Sequence, residues 1–204
     1  MGLKDRYLIR PIDNKTALNL VVENHYLHRK CPASFCFGLF EDEKLIGTVI
    51  YGTPSSAPLR RGICGDEEKD NVIELTRLWI KDNTPPNVES YLVGNTLRKV
   101  NKEIIVSFAD PTQNHIGLIY QATNFYYTGL SAKRTNWVVD GINKHCQTIA
   151  DKHTSVELKQ IYGDKFRLEP RPQKHRYVFF NCNTKRKIKL LDKLKYPLLP
   201  YPKT

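Results

Sequence analysis

Apolar positions along this chain fall in short bursts whose spacing switches between a period of two and a period of three to four. Residues 7–12 (YLIRPI) read as a short first strand ending at its proline. Asp13 or Asn14 then caps a predicted helix through Asn24, with Leu18, Val21 and Val22 on its apolar face. Residues 34–40 and 44–51 alternate as an antiparallel hairpin around the acidic turn Glu41-Asp42-Glu43. Residues 52–70, rich in Gly, Pro and Ser, read as a long loop. Residues 71–80 (NVIELTRLWI) form a strand whose alternation sets Arg77 beside Ile73, Leu75 and Trp79, with Val72, Glu74, Thr76 and Leu78 opposite. Pro85-Pro86 precedes a helix over 88–99, with Tyr91, Leu92 and Leu97 inward. A buried strand at 104–108, a helix over 115–124 and strands at 126–130, 135–139 and 176–181 follow, with a polar insert at 141–172. This order predicts an α/β (mixed α+β) fold: one mixed sheet with helices on both faces.

The segment from Ile104 to Gly129 carries the most chemistry. Its strand stops at Asp110-Pro111, which leaves a carboxylate at the strand's C-terminal end, facing a helix that bears His115 and Tyr120. Ligands bind at such strand ends in open sheets. Asp110 reads as a proton acceptor or metal ligand, or as the cap of the segment after Pro111. His25 and Tyr26 leave the first helix together; imidazole suits proton transfer or metal ligation, and the phenol suits stacking on a base. Arg77, a charge on an apolar strand face, must be paired or point into a cleft, so it is the candidate anion clamp. Tyr120 reads as a base-stacking donor or as core, and His115 and Asn124 complete the candidate binding residues.

Charge sharpens the picture. Residues 1–150 hold 18 Lys and Arg against 16 Asp and Glu, whereas residues 151–204 hold 14 against 5. A cationic C-terminal part on a nearly neutral body suits a polyanion, with Lys185, Arg186, Lys187 and Lys189, helped by Arg60 and Arg61, as candidate DNA contacts. The division expected is a catalytic domain over 1–145 and a basic part over 146–204 that completes the sheet and extends as a nucleic-acid-binding tail. Five cysteines (31, 36, 64, 146 and 182) without a CxxC pair read as reduced thiols. No apolar run reaches membrane-spanning length and the N-terminus has no signal-peptide core, so a soluble intracellular protein with no membrane partner is expected.

His25-Tyr26, Arg77 within LTRLW, the run Ser107-Phe108-Ala109-Asp110-Pro111, and His115-x-Gly117-x-x-Tyr120-Gln121-Ala122-x-Asn124 together resemble the Mom family of phage DNA-modification proteins, over roughly residues 20–140. The KHRYVFF and PYPK segments are similar in character to that family's C-terminal part. The resemblance implies a divergent GNAT-like (GCN5-related N-acetyltransferase) fold with two splayed central strands. It also implies a transferase that adds a carbamoylmethyl group to the exocyclic amine of adenine, shielding phage DNA from restriction in the host cytoplasm. Carried over by position, His25, Tyr26, Arg77, Asp110 and Tyr120 are its functional residues. Acetyl-CoA or another activated donor, and an iron ion held by His25 and Asp110, are the cofactors it suggests. The DNA partner would present its adenine flipped out of a duplex or already unpaired.

One departure stands out. Acyl-CoA-binding members of this fold hold the pyrophosphate on backbone N–H groups of a glycine-rich loop at a helix start. Residues 81–90 here are KDNTPPNVES: two prolines remove donors and Glu89 adds negative charge. The alternatives are an N-acyltransferase acting on a protein or small-molecule amine and a non-enzymatic DNA-binding module.

Overall fold

The computed structural model describes residues 2–142 and 153–203. A short helix α1 (Leu3–Arg6) precedes β1 (Leu8–Pro11). Helix α2 (Asn14–Asn24) starts where expected, because the Asp13 carboxylate accepts the Thr16 N–H at 2.9 Å. Strands β2 (Phe35–Glu41) and β3 (Lys44–Gly52) form the hairpin, with Asp42 and Glu43 at positive φ in its turn. Residues 57–64, expected as loop, are helix α3 (Ala57–Cys64): Ser56 caps it and Pro58 sits in its first turn, where a missing N–H costs nothing.

β4 (Val72–Ile80), α4 (Val88–Thr96), β5 (Ile104–Ala109) and α5 (Leu118–Ala122) follow. The last helix is much shorter than the 115–124 expected, because Asn114 and Gly117 both take left-handed φ and hold the chain out of the helix until Leu118. Next come β6 (Tyr126–Leu130), β7 (Arg134–Val139), α6 (Ser155–Tyr162), β8 (Phe166–Arg171), β9 (His175–Phe180) and α7 (Thr184–Lys193).

Seven strands make one sheet in the order β1-β2-β3-β4-β5-β9-β6, antiparallel except for β4–β5. Strand β7 lies outside it. It pairs with β8, a strand within the expected polar insert, as a separate two-stranded arm. The arm has its own small core of Val139, Leu158 and Phe166. The expected boundary at 145/146 and Cys146 lie outside the described residues.

Alternation splits each strand between two layers. One face packs Phe37, Tyr51, Ile73, Leu75 and Ile105 under α4 and α5. On the other, Ile63 of α3 and Leu190 of α7 cover Val72, Val106 and Val178, while Ala17 and Val21 of α2 cover Cys36 and Ile50. Among the described residues no helix is long and apolar enough to cross a membrane.

Two irregularities position the site. β4 and β5 pair only at Val72–Ile104, Ile73–Ile105 and Glu74–Val106 and then part, although both strands continue. On the other edge of β4 the register slips where Ile50 faces Arg77 and Tyr51 faces Leu75, which leaves Thr76 unpaired. The Thr76 hydroxyl fills this bulge by donating toward the carbonyls of Ile50 (3.1 Å) and Pro32 (3.2 Å). The extra residue reverses the alternation. Leu75 joins the α4 layer, whereas Arg77 shares the face of Ile50 and Trp79, which corrects the expected grouping of Arg77 with Ile73 and Leu75.

Candidate active site

The parting of β4 and β5 opens a cleft of about 1430 Å³. His25, Tyr26, Arg77, Asp110, His115 and Tyr120 all line it. Asn124 does not: it takes φ 61° in the turn between α5 and β6 and borders a smaller groove beside Tyr91 and Arg98, so its role is a turn residue.

At the mouth, Tyr26 stacks on His25 with ring centroids 4.3 Å apart and meets the edge of His115 at 6.4 Å. Tyr26 is 41% exposed, an aromatic face offered to a planar ligand. His25 Nδ1 accepts the backbone N–H of Leu27 at 3.1 Å. Burial, together with the positive charges of Arg77 and Lys174 and the neighbouring imidazoles of His28 and His115, lowers its pKa to about 4. The imidazole is therefore neutral at pH 7 with its proton on Nε2, which makes it a hydrogen-bond donor into the cleft. That tautomer disfavours His25 as base or metal ligand, since freeing the Nε2 lone pair would drive a proton onto Nδ1 against the Leu27 N–H.

Asp110 ends β5 and caps the turn after Pro111: its Oδ1 accepts the Thr112 N–H at 3.0 Å and hydroxyl at 2.6 Å. Its Oδ2 pairs with Lys174 at 2.7 Å. Burial alone would raise the Asp110 pKa, but Lys174 and Thr112 outweigh it and hold the carboxyl below its ordinary value. Both oxygens are thus engaged. Asp110 is a fixed anion that places the Lys174 ammonium in the cleft.

Lys174, the first residue of the KHRYVFF segment, is a site residue outside the expected set. It reaches the site because β9 inserts beside β5, pairing Ala109 with His175. Glu74 is a second site residue outside the expected set. It is the last β4 residue paired to β5, at the vertex of the parting, and it lines the cleft. Burial raises its pKa to about 7 against the opposing pull of Arg77 and Lys174. An acid inside an apolar strand run was the available signal.

Arg77 Nη1 donates to the Thr76 carbonyl at 2.6 Å, while its buried Nε has no partner. A guanidinium N–H without an acceptor keeps unspent donor capacity that an anionic or carbonyl oxygen satisfies. The Tyr120 hydroxyl is buried against Ser107 and its pKa is pushed up to about 12; the ring packs on Phe125 and Tyr177.

The donors for the expected iron ion are partly engaged: His25 Nδ1 accepts from Leu27 and both Asp110 oxygens have partners, and among the described residues no group of three or more His, Cys, Asp or Glu side chains could hold a metal ion. At the start of α4, Pro85 and Pro86 carry no N–H and Glu89 brings negative charge to the cleft, both unfavourable to a pyrophosphate, whereas Asn87 leaves the first N–H groups of the helix without a side-chain cap.

The basic residues expected to meet DNA lie away from the cleft. Arg60 pairs with Asp70 at 3.6 Å and Arg61 with Asp66 at 2.9 Å. Arg186 bridges Glu68 (2.5 Å) and Glu103 (2.8 Å), fastening α7 to the body. Lys187 lies 5.0 Å over the Tyr126 ring, and Lys185 and Lys189 are exposed.

A sheet parted between its fourth and fifth strands, with helices on both faces, defines the class: the GNAT-like acetyltransferase fold. At TM-score 0.50 and 10% identity the chain matches YncA, a putative acetyltransferase from Salmonella typhimurium solved with acetyl-CoA, covering 87% of this chain and 95% of that one. At the same score and identity it matches Arabidopsis thaliana NAA60 in complex with acetyl-CoA, covering 85% and 99%. Within that fold the chain belongs to the Mom protein family, whose model matches residues 6–203. It is 29% identical over 189 residues to the methylcarbamoylase Mom of Escherichia phage Mu, covering 89% of this chain and 74% of that protein. The family and fold implied by the motifs around Asp110 are borne out.

Proposed function

We propose that this protein is a phage DNA-modification transferase that adds a carbamoylmethyl-type group to the exocyclic amine of adenine and so protects phage DNA from restriction in the host cytoplasm. The methylcarbamoylase relative of phage Mu supports this reading. The observation that carries it is the pairing of a proton acceptor tuned to neutrality, Glu74, with the orphaned guanidinium N–H of Arg77 on one cleft floor.

The chemistry follows from those groups. The adenine amine is a weak nucleophile because its lone pair is delocalised into the ring, so it needs a base and an activated donor. Adenine enters the cleft extrahelically and stacks on Tyr26. As the amine nitrogen bonds to the donor carbon, Glu74 takes the proton it sheds, and the leaving group departs with its electron pair. Arg77 and Lys174 face the negative charge that develops on the donor, and the His25 Nε2–H donates to a carbonyl oxygen.

Nucleoside mass spectrometry on DNA from cells expressing the protein tests this. Wild-type protein should yield a heavier deoxyadenosine species, and Glu74→Gln should lose it. Unmodified DNA from folded, soluble wild-type protein in a host that supports phage modification would overturn the assignment.

A further inference from the structure

We propose that the DNA backbone is held by the β7–β8 arm at the cleft mouth, through Arg134 and Arg171, and not by helix α7. This rests on the DNA-modification reading above.

Arg134 and Arg171 are register partners across the arm. Like charges placed directly opposite on an antiparallel pair repel and weaken the ladder. Nothing in the arm relieves the repulsion. Both side chains are exposed, and among the described residues neither has a carboxylate within ion-pair distance. The arm's own acids, Asp140 and Glu169, are both turned to Arg167. Two guanidinium groups left unneutralised at one register position make a fork for an anion supplied from outside.

The position of the fork says which anion. Both arginines line the same cleft as Tyr26 and Asp110. The arm is tied to the sheet at that end: Ser131 N–H donates to the Lys174 carbonyl at 2.8 Å, and the Lys174 N–H donates back to the Ser131 hydroxyl at 2.9 Å. The segment that presents the arginines is thus bonded to the residue that pairs with Asp110. Arg29 and Lys30, from the segment that follows α2, line the same cleft, also without a carboxylate partner among the described residues. Cations from two separate segments of an aromatic-lined cleft suit a strand whose phosphates run along it while one base turns inward. On helix α7, Arg186 and Lys193 are neutralised by Glu67, Glu68 and Glu103, and the exposed Lys185 and Lys189 lie outside the cleft lining.

Binding of fluorescein-labelled, adenine-containing duplex DNA across a salt series tests the proposal. Arg134→Ala/Arg171→Ala should weaken binding roughly tenfold at low salt and reduce the slope of log affinity against log salt by about 2, near 0.9 for each phosphate no longer neutralised. Arg134→Lys/Arg171→Lys should restore the slope, which separates charge from any damage to the arm. Lys185→Ala/Lys189→Ala should match wild type. An unchanged slope in the alanine double variant, a larger loss in the α7 variant, or no salt-dependent binding by wild type would each overturn it. Nucleoside analysis of the same variants keeps the two readings apart. Modified adenine with an arm variant that binds like wild type refutes the arm alone. Arm-dependent binding with unmodified DNA refutes the transferase alone.

Discussion

The Lys174 ammonium sits 2.7 Å from the Asp110 carboxylate, one carried in by β9 and the other standing at the end of β5. Both side chains are a quarter exposed or less, so the pair is stronger than a surface bridge. Asp110→Asn should cost roughly 2 kcal/mol in thermal or denaturant unfolding. It should also cost about a hundredfold in modification rate by displacing Lys174. Because the folded pKa of Asp110 is depressed, this stabilisation is fully present above its unfolded value, about 4, and is lost as pH falls through the lower folded value. A variant equal to wild type in both assays would remove the pair from the mechanism.

Glu74 predicts the opposite pH behaviour. With a folded pKa near 7, its ionised form accumulates, and activity rises, as pH climbs through neutrality. Glu74→Gln should lower the rate by about a hundredfold or more and flatten that profile. The sign for stability reverses too. An acid with a raised pKa destabilises the fold above its unfolded value, roughly 4, so Glu74→Gln should melt higher than wild type at pH 8 and equally at pH 4. A rate profile unchanged by the substitution would exclude Glu74 as the base.

The tautomer of His25 is directly measurable. Nitrogen-15 NMR should show a neutral ring at pH 7 with the proton on Nε2, because Nδ1 accepts from Leu27. The ring should charge only as pH approaches about 4, and stability should decline from near pH 6.5 down through that value. A proton found on Nδ1 would return His25 to the role of base or ligand.

Gly117 should tolerate no side chain. Its φ is 87°, and a Cβ there would lie 2.4 Å from the Tyr177 ring, which is anchored by a hydroxyl hydrogen bond to the Ile116 carbonyl. Gly117→Ala should therefore cost on the order of 2 kcal/mol or more in a melting experiment.

These residues also mark how far the sequence could be read. The hairpin, β4, α4 and β5 follow from period and punctuation, and Asp13 announces α2. Helix α3 was hidden by a Gly, Pro and Ser composition that reads as loop unless Ser56 is seen as a cap and Pro58 as a first-turn residue. Strand β8 carries Pro170 and alternating charges, a pattern that an exposed two-stranded arm accepts and a central strand would not. Asp110, His25, Tyr26, Arg77 and Tyr120 were legible through the motifs around them. Their roles were not, because roles depend on partners set by tertiary contact: Leu27 on Nδ1, Lys174 on Oδ2, and a bulge at Thr76 that no periodicity reveals.

The insertion of β9 between β5 and β6 also sets a timetable for the molecule's manufacture. As the polypeptide leaves the ribosome, residues 104–130 emerge with open edges that only residues 175–180 can close. Pairings so distant in sequence form slowly and late. Lys174 arrives in that same closing step, so a nascent chain holds His25, Glu74 and Asp110 well before it holds the cation that completes them.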